Sequence, residues 1–387
     1  MRRLAGTAGG AACSAVTNDL DALADRGFGR RNAPDIAPDI ADVRHGNFGL
    51  GWRPELAASI FANLDRIDVV EVIAEDWLDE RDFRALRLLG ATVPVILHGT
   101  SLGLASTHPV DSRRLDHMAR LVDAIQPVMW SEHLAFVRAG GVEIGHLAAP
   151  PRTAATIEGL VANVDRARRV VGIAPALENI ATLIDPPLSD MDEIEFVTSA
   201  IRACDVPLLL DLHNLHANAT NFGWDAHDFL AAIDELPIAY VHLAGGRMLR
   251  EGRILDDHLH ATPEPVFALL RFLASRRSEE LTVVLERDGR YPKFEELLGE
   301  LEQARASLVI PSVSRGTRAG GGAMLMSRAP SHPGPSTTLG MTEEMLARLY
   351  TDAAARTEFL ANPAFPIDHL GLTLAAESFA RKRNRHS

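Results

Sequence analysis

Short apolar runs alternate with amphipathic stretches along the chain from Asn47 to about Leu308. Most runs hold four to six apolar residues, as is typical of parallel strands that are buried on both faces. These runs predict strands at 48–51, 68–73, 94–98, 128–133, 174–179, 207–212, 239–243 and 281–286. Apolar residues at helical spacing predict helices between the strands, at 53–64, 113–125, 158–171, 191–204, 228–235 and 263–275.

The number and order of these elements indicate the fold class. Eight strand-then-helix units in about 260 residues match a (β/α)8 barrel, which typically has about 250 residues. The alternative is an open doubly wound sheet, which usually carries a glycine-rich phosphate-binding turn after its first strand. The segment at that place here, FGLGWRP, is not such a turn. The pattern therefore predicts an α/β protein with a TIM barrel.

Three segments outside the barrel differ from it in composition. Residues 1–45 show no sustained periodicity and are predicted to be a disordered, flexible arm, followed by a catalytic barrel domain at 46–310. Residues 311–340 are rich in Gly, Ser and Pro, which predicts a linker. Residues 341–387 regain helical spacing and are predicted to form a small helical module. This module would either recruit a peptide or partner protein or cap the barrel.

Charge and cysteine content narrow the function classes. The formal net charge of −13 argues against a nucleic-acid partner, which would require a basic face. The two cysteines, Cys13 and Cys204, cannot form a disulfide framework, which suits a reducing cytoplasm. No apolar run approaches the roughly 18 residues of a membrane span. We therefore expect a cytoplasmic protein that binds neither nucleic acid nor membrane.

Six predicted strands in succession end in a residue that can bind a metal. These residues are His98, Glu132, Glu178, Asp211, His242 and Glu286. Because the active sites of such barrels gather at the carboxyl ends of the strands, the six side chains should lie on one face. A single strand-end glutamate is more often a salt-bridge partner, but the set together predicts a metal site. Glu71, which lies inside the second strand, is interpreted as structural.

Two short motifs add further ligands to this face. In DLHN, Asp211 and Asn214 lie three residues apart with His213 between them, and LDDH contains Asp256 and His258. Carboxylates can bridge two cations, so the set suffices for more than one ion. Imidazole with carboxylate suits iron, manganese or zinc. That many buried ligands without a cation would be a costly cluster of charge.

Several longer stretches resemble a known family. They read VVEVIAEDW, VILHGTSLGLAS, WSEHLAF, LENIATLI, LLLDLHNLHANATNFGWD, VHLAGG, ILDDH and LERDGRYP, and they lie between about residues 49 and 305. The chain resembles the multinuclear non-heme iron-dependent oxidative enzymes, typified by the methanobactin biosynthesis oxidase. The resemblance implies a barrel similar to xylose isomerase, two or three iron ions, and molecular oxygen as co-substrate. It also implies a ribosomally made precursor peptide as substrate, modified most often at cysteine, and a partner protein that presents the peptide's leader.

The resemblance also implies roles for individual residues. The metal ligands would be His98, Glu132, Glu178, Asp211, Asn214, His242, Asp256, His258 and Glu286. His133 and Asn179 would not bind the metal themselves but would orient these ligands through hydrogen bonds. Asp256, His258 and His213 are expected to take part in catalysis, and Arg53, Arg287 and Asp288 to bind substrate at the barrel mouth.

The chain departs from the family pattern at three positions. Leu56 and Ile73 stand where the family commonly has histidine, and Asp76 stands where it has asparagine. Two histidine ligands are therefore missing, although His213 stands where the family commonly has asparagine. An oxygen-dependent iron oxidoreductase is the leading hypothesis. The alternatives are a metal-dependent hydrolase or isomerase of a sugar or phosphate, and a non-catalytic binding scaffold.

Overall fold

Eight parallel strands close into a barrel, which confirms the predicted fold class. The computed structural model describes residues 46–77, 80–139 and 142–309. In their order around the barrel, the strands are β1 (Phe48–Gly51), β2 (Val69–Ile73), β3 (Val95–His98), β4 (Met129–His133), β7 (Ala176–Glu178), β8 (Leu208–Asp211), β9 (Ile238–Leu243) and β12 (Val283–Leu285). The predicted arm, linker and helical tail at 1–45, 311–340 and 341–387 lie outside the described residues.

Helices surround the barrel. They are α1 (Ala57–Ala62), α2 (Glu80–Gly90), α3 (Ser112–Ile125), α4 (Ala154–Val171), α5 (Glu193–Cys204), α6 (Leu212–Phe222), α7 (Ala226–Ala232), α8 (Glu264–Arg276) and α9 (Phe294–Leu308). Many begin at a side chain that accepts a hydrogen bond from the first turn, such as Asp111, Thr153, Asp192 and Asp225. Among the described residues, no helix has the length and apolarity needed to cross a membrane.

Two β-hairpins extend the loops at the carboxyl ends of the strands. One pairs β5 (Phe136–Ala139) with β6 (Val142–Ala148) after β4. The other pairs β10 (Arg247–Met248) with β11 (Ile254–Leu255) after β9. Neither hairpin was predicted, and nor were the helices α2, α6 and α9. The hairpins matter because they form part of the wall above the barrel mouth.

The interior of the barrel has two layers of different polarity. The lower layer is apolar and consists of Val69, Ile96, Ala176, Leu209, Tyr240 and Val284. Side chains on a strand alternate between its two faces, so the residue two positions further on also points inward. Those residues form the upper layer, which is polar: Glu71, His98, Glu178, Asp211, His242 and Glu286. The strand register therefore places a buried polar layer directly on an apolar floor.

Candidate metal centre

Four residues of the upper layer form one group, in which three carboxylates surround an imidazole nitrogen of His242. The Nδ1 atom of His242 lies 3.2 Å from Oε1 of Glu178 and 3.2 Å from Oε2 of Glu286. Oδ2 of Asp211 is 3.9 Å from the same nitrogen. All four side chains are buried and offer ligand atoms that are close enough together to hold a metal ion. This group contains four of the six predicted strand-end ligands.

A second group lies on the β3–β4 side of the barrel. The Nε2 atom of His133 is 3.1 Å from Oε2 of Glu178, and Nε2 of His98 is 3.4 Å from the same oxygen. These three side chains are buried and could also hold an ion. Glu178 thus belongs to both groups, with Oε1 facing one and Oε2 facing the other. A carboxylate in this position is suited to bridge two cations.

The loop after β9 contributes a third set of ligands. Nδ1 of His258 is 3.1 Å from Oε2 of Glu286 and 3.6 Å from Oδ2 of Asp288, while its Nε2 is 2.9 Å from Oδ1 of Asp256. The same Asp256 oxygen lies 2.7 Å from Nδ1 of His213. Glu286 therefore connects this set to the central group. His258 has a positive φ of 50°, which is an uncommon backbone conformation for a residue other than glycine.

Histidines and carboxylates stabilise each other's charges in this cluster. Burial alone would lower the pKa of His133, but Glu178 and Glu132 raise it to about 9. Burial would likewise lower the pKa of His242 and His258, yet the surrounding carboxylates raise both well above the ordinary value. Burial raises the pKa of Asp211 to about 7 against the opposing effect of His258. The cluster without a cation is therefore proton-rich.

Unsatisfied polar atoms test whether a metal would fit. Oε2 of Glu178, Oδ2 of Asp211 and Oδ1 of Asn214 are buried and have no hydrogen-bond partner among the described residues. Such atoms are costly unless something else binds them. All three are oxygens on predicted ligands, and those of Glu178 and Asp211 lie within 4 Å of imidazole nitrogens. The residues present therefore fit a cation that prefers mixed nitrogen and oxygen ligands, as iron, manganese and zinc do.

The structure reverses the positions predicted for Glu132 and His133. His133 follows Ser131 by two residues and points into the barrel, so it joins a ligand group. Glu132 points the other way, because neighbouring residues of a strand face opposite sides. Its carboxylate accepts hydrogen bonds from the backbone N–H groups of Leu102 and His133, at 2.9 Å each. Glu132 belongs to none of the groups found among the described residues, and it orients His133.

Asn179 and Asn214 form hydrogen bonds next to Asp211, and their roles at a metal stay predictions. Asn179 exchanges two hydrogen bonds of 2.9 Å with the backbone of Asp211 and so ties β7 to β8. Asn214 donates to the backbone carbonyl of Asn179 at 3.0 Å and lines the cavity, and its Oδ1 is buried without a hydrogen-bond partner among the described residues. Asp211 also accepts a bond from the backbone N–H of Asn214 and so starts α6. The DLHN motif thus combines a helix cap with two predicted ligands.

The three charges predicted to bind substrate have different surroundings. Asp288 is half-exposed and lines the cavity above the cluster. Arg53 is buried and forms ion pairs with Asp288 and Glu286, which positions both carboxylates. Arg287 is also buried, and its guanidinium donates to Glu300 at 2.9 Å. Neither arginine is among the residues that line the cavity, so only Asp288 lies where a substrate would meet it.

Sequence reasoning missed three buried residues that form hydrogen bonds to the cluster or to each other beside it. Glu71, Ser131 and Tyr240 are fully buried and connect to the ligand histidines through hydrogen bonds. Glu71 was interpreted as structural because valines flank it, yet its carboxylate bonds Nε2 of His242 at 2.9 Å. The strand alternation was the signal that could have found it, since Glu71 follows the interior residue Val69 by two positions.

A cavity of about 540 Å³ opens above the cluster. Its floor includes His98, His133, Glu178, His258 and Glu286. Its walls are largely apolar and come from β2, the loop after β7 and both hairpins: Ile73, Leu147, Ile180, Ala181, Leu183, Ile254 and Leu255. A concave, mostly apolar pocket with a few convergent polar groups is typical of a small-molecule or side-chain site.

These features define a (β/α)8-barrel protein whose carboxyl-end face carries linked clusters of residues that could hold metal ions. The family described as "RiPP precursor modification enzyme MbnB/TglH/ChrH" has a model that matches residues 47–309 of the chain. The chain belongs to this family, which confirms the resemblance in the sequence motifs.

Two related chains agree with this assignment. A UPF0276 protein of Streptomyces avermitilis is 40% identical over 274 residues, which cover 67% of this chain and 54% of that protein. A UPF0276 protein of Rhizorhabdus wittichii is 33% identical over 267 residues, covering 67% of this chain and 93% of the relative. Among solved structures, endonuclease IV of Thermus thermophilus aligns with a TM-score of 0.45 and 16% identity, covering 68% of this chain and 98% of that one.

Proposed function

We propose that this protein is a multinuclear iron- and oxygen-dependent oxidoreductase that modifies a ribosomally made peptide at a cysteine side chain. The observation that carries the proposal is the sharing of Glu178 and Glu286 between adjacent ligand groups, directly below an open cavity. Membership in a family of precursor-peptide modification enzymes supports the substrate class. Mixed imidazole and carboxylate ligands support iron.

The ligand groups would accommodate at least two ions. His98, His133 and Glu178 would hold one ion, and Glu178, Asp211, His242 and Glu286 the other. Asn214, Asp256 and His258 would complete the coordination on the side of the loop after β9. Iron bound there would supply the reduction of molecular oxygen and the oxidation of the substrate. The protein's own contribution is to fix the ligands in a buried, water-poor layer.

The walls of the cavity indicate how a peptide would bind. The apolar wall lies above a floor of ligand residues. The pocket therefore suits a side chain that has one anionic or thiol group and an otherwise apolar surface. Asp288 is half-exposed at the cavity wall and would contact the peptide's polar groups. A partner protein that holds the leader of the precursor would bring the reacting residue to this opening.

Three neighbouring ionisable side chains at the cavity wall are close enough together to move a proton during the reaction. Oδ1 of Asp256 lies between Nδ1 of His213 and Nε2 of His258. Asp256 and His258 line the cavity, whereas His213 is buried behind them. We therefore assign Asp256 and His258 to proton transfer at the substrate, with His213 orienting Asp256.

Metal content and oxygen consumption test this function together. The protein would be purified anaerobically from iron-supplemented cells beside the double variant His98→Ala/Glu178→Ala. We expect two or more iron atoms per chain in the wild type, markedly fewer in the variant, and oxygen consumption with a cysteine-containing peptide encoded near the gene. Zinc or manganese without iron would point to hydrolysis or isomerisation instead. Absence of any metal would leave a binding scaffold.

A further inference from the structure

A continuous chain of hydrogen bonds runs beside the ligand cluster and joins two of its histidines. Nδ1 of His98 lies 2.7 Å from the hydroxyl of Ser131, which lies 2.6 Å from the hydroxyl of Tyr240. Tyr240 donates to Oε2 of Glu71 at 2.6 Å. The same oxygen lies 2.9 Å from Nε2 of His242. All five side chains are buried, so water does not compete for these bonds.

Counting donors fixes the direction of every bond in this chain. The single hydroxyl hydrogen of Tyr240 goes to Glu71, because a carboxylate only accepts. Ser131 must then donate to the Tyr240 oxygen at 2.6 Å, because its other acceptor, the backbone oxygen of Leu97, lies 3.5 Å away. Nδ1 of His98 must in turn donate to the Ser131 oxygen. At the other end, Nε2 of His242 donates to Glu71 for the same reason.

This direction decides which nitrogen of each histidine faces the cluster. With its hydrogen on Nδ1, His98 presents Nε2, which lies 3.4 Å from Oε2 of Glu178. With its hydrogen on Nε2, His242 presents Nδ1, which lies 3.2 Å from both Glu178 and Glu286. A metal ligand must offer the nitrogen that carries no hydrogen. The bonds to the chain thus leave the cluster-facing nitrogen of each ring for a metal.

We propose that Glu71, Tyr240 and Ser131 form a positioning relay, in which one buried carboxylate sets the tautomer and ring orientation of both His98 and His242. The inference rests on the proposed metal centre. The position of Tyr240 supports it, since its ring belongs to the apolar lower layer and a phenylalanine would fill that space equally well. Its hydroxyl is therefore not needed for packing. Partners that orient metal-bound histidines in this way commonly affect metal affinity.

Zinc binding to the full-length protein tests the relay, because zinc is diamagnetic and redox-inert. Zinc affinity would be measured by chelator competition for the wild type, Tyr240→Phe, Ser131→Ala and the double variant. We expect each single change to lower the affinity about 10- to 100-fold. The double variant should be no weaker than the weaker single variant, since either change cuts the same chain.

Thr198→Val is the matched control, because Thr198 is a buried residue of the outer helix α5 whose hydroxyl also makes hydrogen bonds. Long-range ¹H–¹⁵N NMR of the zinc-loaded protein would report the tautomers directly. The wild type should show hydrogen on Nδ1 of His98 and on Nε2 of His242. In Tyr240→Phe, the His98 assignment should become mixed, because Ser131 is then able to donate to His98.

The outcomes separate the relay from the metal centre. If the wild type binds metal and Tyr240→Phe binds it equally well, the relay is wrong and the proposed function stands. A loss of affinity no larger than that in Thr198→Val would also overturn the relay, since any buried hydroxyl would then have the same effect. If the wild type binds neither zinc nor iron, the proposed function fails, and the relay fails with it.

Discussion

His133 and Glu178 are register partners on adjacent parallel strands, and Nε2 of His133 lies 3.1 Å from Oε2 of Glu178. The other oxygen of Glu178 lies 3.2 Å from Nδ1 of His242. One carboxylate therefore spans the two ligand groups at the mouth of the barrel. Because the groups share this residue, we expect the centre to lose its metals together and not one at a time.

Glu178→Gln should abolish most metal binding. The change keeps the size of the side chain but removes the negative charge that both groups share. Elemental analysis after anaerobic reconstitution should show a loss at both groups. Asp288→Asn is the matched control, because Asp288 is half-exposed and belongs only to the peripheral group with His258 and Glu286. Equal losses in the two variants would contradict a bridging role for Glu178.

Metal affinity should rise with pH across the neutral range. Burial lowers the pKa of His133, but Glu178 and Glu132 outweigh this effect and raise the pKa to about 9. Without a metal, this imidazole therefore carries an extra proton at neutral pH. The raised pKa values of His242 and His258 have the same consequence. A bound cation must displace such protons, so affinity should increase about ten-fold per pH unit for each displaced proton up to about pH 9. Zinc titrations by calorimetry in two buffers would count the protons released. An affinity independent of pH would contradict the proton-rich cluster.

The sequence predicted the barrel and most of the cluster for one physical reason. Buried strands end where a polar residue meets the mouth of the barrel, so His98, Glu178, Asp211 and His242 could be recognised from their position after apolar runs. Glu71 escaped this rule because it lies within a strand. Residues such as Glu71 can be found only when the inward-facing positions of each strand are known.

Other features depend on contacts that a single sequence does not reveal. The helix α6 contains several Asn and His residues with modest helix propensity, and the cap from Asp211 supports its start. The strands β10 and β11 have two residues each, which is too short for a recognisable alternation. These segments form part of the site, so the shape of the cavity could not be predicted although its floor could.

Gly246→Ala should disturb the site through His213. A Cβ at this position would lie 2.5 Å from Cε1 and 2.9 Å from Nε2 of His213, and it would also collide with the backbone oxygen of Leu255. The ring would have to move away from Asp256, so metal affinity and thermal stability should both fall. Gly299→Ala is the control, since that helical position has open space and should gain about 0.5–1 kcal/mol. Unchanged metal affinity in Gly246→Ala would contradict a role for His213 in the centre.

Arg152→Met should destabilise the barrel without changing its metal content. Arg152 lies 3.3 Å from the buried carboxylate of Glu193, whose pKa is raised to about 7 by burial against the lowering effect of Arg152. Removal of the cation leaves that buried carboxyl uncompensated, which typically costs about 3–5 kcal/mol. The cost should grow as pH rises above about 7. In the wild type, Glu193 is then ionised and stabilised by Arg152. In the variant, the buried carboxyl must either ionise without a cation or keep a proton that the unfolded chain has already lost.

Urea denaturation at two pH values measures this effect. Arg152→Met/Glu193→Gln is the control, because removing both charges of a buried pair is often close to neutral. A single variant as stable as the double variant would show that the buried Glu193 carboxyl costs nothing without its cation.

Ile73→His tests why the chain lacks a histidine that its family commonly has. Ile73 is the register partner of His98 and lines the cavity beside it. An imidazole there would face the group formed by His98, His133 and Glu178, and it would add a neutral nitrogen ligand to it. We therefore expect a higher iron content per chain than in the wild type, together with a narrower apolar wall that weakens peptide binding.

Leu183→His is the matched control, since it places a histidine on the cavity wall in the loop after β7 rather than at the end of a barrel strand. Iron content that rises equally in both variants would indicate adventitious binding by added histidines. Iron content that rises in neither would mean that the ligands already present complete the centre, and that Ile73 serves the substrate instead.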